Sequence, residues 1–283
     1  MEIEPECDRL ALESPLMRIL LTNDDGLRAP GIEAMHAQLL HLGKVFTVAP
    51  LEVQSATSHS VSFNVPLMAR EMRINERMTG LAIDGRPADC VKLAIENIWP
   101  EHFPDHPRPD LVVSGMNMGC NVGIHVIYSG TVGAAIEAAF LGLPAIAVSL
   151  YLADELKGGS MADVRWDVAA RHARMAIERC LAHGPLEPHS VLNINIPATT
   201  ADGPTPPMKV VPMNLAGLHD RYERRVSPNG QVYYWCSGSG MEFHHTSTGS
   251  DVEALLAGHI TITPLHYDLT DHARLRTWAE RLG

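Results

Sequence analysis

Short apolar runs alternate with helical periodicities along the first half of the chain. Met17 to Leu21 is a run of strand length that stops at Thr22-Asn23-Asp24-Asp25-Gly26. Pro30-Gly31 then opens a 3.6-residue pattern with Ile32, Met35, Leu39 and Leu40 on one face, and Gly43 is the expected helix stop. Val45 to Val48 predicts a second strand ended by Pro50, followed by a polar loop over 54–60. Asp84-Gly85 marks a turn, and Pro87 suits the first position of a helix reaching to about Ile98. Leu111 to Val113 reads as a third strand ending in Ser114-Gly115-Met116-Asn117, Thr131 to Gly142 as a helix, and Ala145 to Leu150 as a fourth strand. Strand and helix in alternation predict an α/β fold: a mostly parallel sheet with helices on both faces.

The second half is less regular. Val164 to Leu181 has the pattern of an amphipathic helix, and Val191 to Ile196 alternates apolar residues with Asn193 and Asn195. The Pro- and Thr-rich stretch 198–207 predicts a loop or hinge. Pro228-Asn229-Gly230, between Tyr222-to-Val226 and Val232-to-Trp235, signals a β-hairpin. His259 to Thr263 reads as a strand and Asp271 to Leu282 as a closing helix. The expected organisation is an extension over 1–16, a catalytic core over 17–197, and a C-terminal arm over 198–283 that carries the hairpin and serves oligomerisation.

Composition narrows the function. The 283 residues are 46% hydrophobic and 19% charged, as in a globular enzyme. A net charge of −11 argues against binding duplex nucleic acid. A small anion is still admissible, if a cation or oriented N–H groups supply local positive charge. No apolar run approaches the roughly 20 residues of a membrane span, and the acidic start lacks the features of a secretory signal. Cys7, Cys90, Cys120, Cys180 and Cys236 are scattered and odd in number, which favours free thiols and a cytoplasmic location.

Polar residues recur where the strands of the first half end. Asp24 and Asp25 follow the first strand, Ser55 lies in the loop after the second, and Asn117 follows the third. In an open parallel sheet those ends share the edge at which ligands bind. Four oxygen donors there suit one hard divalent cation, Mg²⁺ or Mn²⁺, although Asp-Asp-Gly is also an ordinary turn sequence. Ser129, Gly130 and Thr131 open an alanine-rich helix; they read either as an anion site or as a simple N-cap at Thr131. Asn121, in the glycine-rich loop 119–123, is a donor to the same anion or a turn residue. His59 is a candidate general acid or a solvated loop histidine. The 15 histidines include no H-E-x-x-H pair, so a zinc site is not expected. Arg221, Arg224 and Arg225 would hold a polyanion or form a solvated face. A dinucleotide-binding G-x-G-x-x-G is missing between Asn23 and Gly31.

Several motifs together, in order, resemble the stationary-phase survival protein SurE family. They are 17–26 (MRILLTNDDG) with Ala29-Pro30-Gly31-Ile32, then Val48-Ala49-Pro50, Pro87-Ala88-Asp89-Cys90-Val91, 109–117 (PDLVVSGMN) and Tyr128-Ser129-Gly130-Thr131-Val132. The similarity is dense from Met17 to Leu150 and thinner beyond, with 261–269 (TITPLHYDL) also matching. The resemblance implies a Rossmann-like core and a metal-dependent acid phosphatase acting on nucleoside monophosphates, with some action on polyphosphate. It assigns the metal to Asp24, Asp25, Ser55 and Asn117, the phosphate to Asn121, Ser129, Gly130 and Thr131, and catalysis to Asp24 and Asn121. It also implies a homodimer or homotetramer built through the C-terminal arm. Either water or Asp24 would be the nucleophile, and a non-catalytic nucleotide sensor is the alternative on the same fold. The sequence departs from the family at Arg86, at Ala56 and at Ile124-His125, which bears on substrate preference.

Overall fold

The structure, a computed structural model, describes residues 16–152, 164–199, 203–219, 221–237 and 241–283. The expected extension lies outside them, apart from Leu16, as do residues 200–202 of the expected hinge. In chain order the first elements are β1 (Met17–Thr22), α1 (Pro30–Leu39), β2 (Gly43–Pro50), β3 (Ala69–Arg73), β4 (Thr79–Ile83) and α2 (Pro87–Leu93). A π-helical stretch, Ala94–Ile98, leads into α3 (Trp99–His102), so this helix outruns its predicted end. Next come β5 (Leu111–Met118), α4 (His125–Tyr128), α5 (Gly130–Phe140), β6 (Ala145–Leu150), α6 (Trp166–Leu181) and β7 (Val191–Ile196). The remainder is β8 (Met208–Val210), β9 (Tyr222–Val226), β10 (Val232–Cys236), α7 (Asp251–Leu256), β11 (Ile260–Leu265) and α8 (His272–Leu282).

Among the described residues, nine strands form one sheet in the order β3-β4-β2-β1-β5-β6-β7-β11-β8. Its centre is parallel from β4 to β7. Antiparallel pairing enters only towards the edges, at β3–β4 and β7–β11. The inner strands are buried on both faces, which is why they read as unbroken apolar runs rather than alternating ones. In β1, Ile19 and Leu21 pack into one core with Ile32, Met35 and Ile177, and Leu20 packs into the other with Val91, Val132 and Ala135. Helices α1 and α6 pair on the first face, α2 and α5 on the second.

Two details of the first helix differ from the pattern reading. Leu40 is 44% exposed, because α1 ends at Leu39 and Leu40 turns out as its C-cap. Gly43 does not close the helix but starts β2, where a Cβ would sit 1.9 Å from the carbonyl oxygen of Met17. Close approach of two strands, not a helix stop, is what this glycine permits.

β1 pairs with β2 on one side and with β5 on the other. The chain thus winds outward in both directions from β1, and the crevice beyond its carboxyl end is the topological switch point. The hairpin β9–β10 forms a separate two-stranded sheet, exposed along its whole length.

Candidate functional site

The turn after β1 is held by its own side chain: Asn23 Nδ2 donates to the Gly26 carbonyl at 2.9 Å, and Gly26 N–H donates back to Asn23 Oδ1 at 3.2 Å. Gly26 adopts φ +93°, which suits glycine. This Asx-type turn presents Asp24 and Asp25 at the switch point. The loop after β2 is tied to the same turn, since Gln54 N–H donates to the Asp24 carbonyl at 2.7 Å. At its far end Ser58 donates through N–H to Tyr128 O at 2.9 Å and through Oγ to Ile127 O at 2.6 Å. Ala56 and Ser58 both hold φ +57°, so the loop stores strain beside the site. On β5 the ladder to β6 skips one residue between Ser114 and Asn117, a bulge of the kind that re-aims side chains near ligand sites.

Asp24, Ser55, Asn117, Asn121 and Ser129 line one cavity of about 220 Å³, together with His125 and Tyr128. Asp25 lines an adjoining cavity of about 410 Å³ that shares Ser55 and Met118 with the first. Gly130 and Thr131 press on Asp24 from behind. A Cβ on Gly130 would lie 2.9 Å from Asp24 Cβ, and the Thr131 hydroxyl donates to Asp24 Oδ1. Ser129 is the N-cap of α5, its Oγ accepting from Val132 N–H at 3.1 Å. The helix therefore begins one residue before the predicted Thr131, with its N-terminus beside Asp24.

Burial pushes the Asp24 carboxyl up to about 6, with the charge of Asp25 adding to the rise and the Thr131 hydrogen bond opposing it. Burial also raises Asp25, against a 2.9 Å hydrogen bond from Met118 N–H to its Oδ2. Asn117 spends its Nδ2 on the Gly119 carbonyl at 2.6 Å, leaving its amide oxygen as the available acceptor. Among the described residues, no lysine or arginine lines the 220 Å³ cavity.

Two desolvated, adjacent carboxylates, with the charge of Asp25 raising the proton affinity of Asp24, together with a hydroxyl and an amide oxygen, fit a hard divalent cation. Among the described residues no three His, Cys, Asp or Glu side chains gather into a metal-binding group.

His59 takes another direction. Its Nε2 lies 2.6 Å from Glu137 Oε2 on α5, and it does not line the cavity of Asp24. Arg221 and Arg225 pair with Glu242 and Glu223, at 3.4 and 2.5 Å, away from that cavity. Sequence reasoning missed Glu137, Ser149, Asn193 and Asn195, the last three of which bind Asn121. Only the asparagines left a signal, as polar positions inside an apolar strand.

The switch-point crevice, with its acidic and hydroxyl-bearing rim, defines a doubly wound α/β protein with a candidate ligand site at the carboxyl edge of its sheet. Residues 19–220 match the model of the family Survival protein SurE. The chain belongs to the SurE family. It is 44% identical over 254 residues to the 5′-nucleotidase SurE of Rhodopirellula baltica, spanning 90% of this chain and 94% of that protein. It is 40% identical over 261 residues to the 5′-nucleotidase SurE of Syntrophobacter fumaroxidans, spanning 92% of this chain and 98% of that one. The crystal structure of the SurE protein from Aquifex aeolicus superposes with a TM-score of 0.76 at 33% identity, covering 94% of this chain and all of that one.

Proposed function

We propose that this protein is a divalent-metal-dependent phosphomonoesterase that cleaves nucleoside 5′-monophosphates to nucleoside and phosphate. The observation that carries the reading is the juxtaposition of buried Asp24 with the N-terminus of α5, in a cavity that no lysine or arginine of the described residues lines. A cation between that carboxylate and an anion would offset their mutual repulsion. The name 5′-nucleotidase, carried by relatives at 40–44% identity, supports the substrate class.

Asp24, Asp25, Ser55 and Asn117 would hold the cation, which supplies Lewis-acid polarisation of the phosphate and a lowered pKa for water when bound. Asn121 and Ser129, which line the cavity, would orient the phosphoryl group, while Gly130 and Thr131 at the N-terminus of α5 hold Asp24 from behind. Water attacks phosphorus, the ester P–O bond breaks, and the leaving alkoxide takes up a proton. His59, bound to Glu137, anchors its loop in this scheme rather than serving as that acid.

The hairpin β9–β10 supports a homodimer or homotetramer, because Tyr222, Tyr234 and Trp235 are each at least 60% exposed. Among the described residues the free thiols Cys90, Cys180 and Cys236 suit the cytoplasm. Among the described residues no helix is long and apolar enough to cross a membrane.

The test is a panel of phosphate monoesters and polyphosphate assayed for phosphate release. Turnover of nucleoside 5′-monophosphates should vanish in EDTA and return with Mn²⁺ or Mg²⁺. Full activity after exhaustive chelation refutes the metal role. Nucleotide binding with no phosphate release from any substrate would identify a sensor instead.

A further inference from the structure

Strand β7 lies between β6 and β11 in the sheet, where both faces are covered and apolar side chains are the rule. Yet Asn193 and Asn195 sit there with no solvent exposure, as does Ser149 on the neighbouring β6. Buried polar groups at such positions cost stability unless their hydrogen bonds compensate. Among the described residues Asn193 Oδ1 has no partner, so its presence is not explained by stability alone.

All three side chains converge on Asn121. The Asn121 N–H donates to Asn195 Oδ1 at 2.8 Å. The Asn121 carbonyl accepts from Asn193 Nδ2 at 2.7 Å and from Asn195 Nδ2 at 3.2 Å. The Asn121 side chain donates through Nδ2 to Ser149 Oγ at 2.8 Å. Both sides of the residue's peptide and one end of its side chain are thereby held by the sheet, although Asn121 itself lies in a loop. The sheet register extends the pattern. Ser149 is paired with Asn117 on one side and with Asn195 on the other, so a polar row crosses β5, β6 and β7 at the level of the cavity.

We infer that Ser149, Asn193 and Asn195 are positioning residues, whose role is to fix Asn121 in the orientation that receives a phosphoryl group. This rests on the phosphate-contacting role proposed above for Asn121. A site on a loop is imprecise unless supporting hydrogen bonds lock it, and loss of such partners typically weakens affinity or activity about 10–100-fold.

The full-length protein, at saturating Mn²⁺, is assayed with p-nitrophenyl phosphate and with inorganic phosphate as competitive inhibitor. Ser149→Ala and Asn195→Leu should each raise the inhibition constant of phosphate and the KM together, by about tenfold or more. The melting temperature of Ser149→Ala should stay close to that of the parent. Combining Ser149→Ala with Asn121→Ala should be no worse than Asn121→Ala alone, because both remove one interaction. A lowered melting temperature with unchanged phosphate inhibition, or fully additive losses in the double variant, overturns the positioning role. If Asn195→Leu does not fold, the Ser149–Asn121 cycle decides alone. Should Asn121→Ala itself leave phosphate inhibition unchanged, the phosphate role of Asn121 falls and the inference with it. Should Asn121→Ala weaken phosphate while Ser149→Ala does not, only the inference falls.

Discussion

His59 Nε2 lies 2.6 Å from Glu137 Oε2, joining the loop after β2 to the body of α5. Lys92 approaches the other carboxylate oxygen at 3.6 Å. Burial works to raise the Glu137 carboxyl, but the hydrogen bond and charge of His59, with those of Lys92, hold it below its ordinary 4.5. A carboxyl depressed in the folded state stabilises above its unfolded pKa, and that contribution is lost as pH falls through the folded value. Glu137→Gln should therefore cost about 1–2 kcal/mol at pH 7. The gap from the parent should close as pH drops below 4.5. Thermal or denaturant unfolding across pH 3–7 measures both; a gap that is constant with pH would mean that the carboxylate charge is not what Glu137 contributes.

Gly130 is the second point at which the site depends on α5. A Cβ there would meet Asp24 Cβ at 2.9 Å, Asp24 Oδ2 at 3.1 Å and Thr57 Oγ1 at 3.1 Å. Asp24 is only 4% exposed and has little room to retreat. Overpacking of this kind typically costs about 1–3 kcal/mol. Gly130→Ala should lower kcat/KM far more than its loss of melting temperature explains, because the displaced group is the carboxylate itself. Near-parental kinetics in that variant would show that Asp24 tolerates movement.

How much of this the sequence disclosed follows from the range of each interaction. The strand-turn at Asp24-Asp25-Gly26 is local, and its residue types announce it; the cap of α5 is local too, yet falls at Ser129 rather than at the expected Thr131. The hairpin β9–β10 was legible for the same reason, through Pro228-Asn229-Gly230. By contrast β3 is the polar, mostly exposed segment AREMR, with no alternation to betray it, and α7 has only six residues. Pairing with β4 and packing against β11, both tertiary effects, decide those two elements. The site divides along the same line. Glu137 is 78 positions from His59 and Asn195 is 74 from Asn121, so nothing in local spacing joins either pair. Only the register of β7 in the sheet turns two strand asparagines into a clamp.

The hairpin gives a prediction about assembly. Tyr233, Tyr234 and Trp235 are consecutive on β10, and the ribbon is too thin to bury both faces. They are 40, 65 and 60% exposed. Replacing residues 222–236 with a short Gly-Ser linker should give a smaller particle by light scattering, with the core still folded by circular dichroism. A parent protein that is already monomeric at micromolar concentration removes the basis for this expectation.

The comparison that bears most directly on the chemistry is Asp24→Asn against His59→Ala. Asp24→Asn keeps the shape of the side chain and its contact with Thr131 but removes the charge that draws a cation into the cavity. Loss of that charge stabilisation, worth several kcal/mol, should lower turnover by about 10³-fold or more. His59 faces Glu137 rather than the cavity, so His59→Ala should act through the loop and stay within about tenfold of the parent. A true general acid would cost roughly 10²-fold or more. Both variants are to be measured at saturating Mn²⁺ with bound metal quantified, so that weaker metal affinity is not read as slower chemistry. Near-normal turnover in Asp24→Asn beside a dead His59→Ala would mean that the reaction is organised around the histidine, and that the cavity at the switch point is not where phosphate is cleaved.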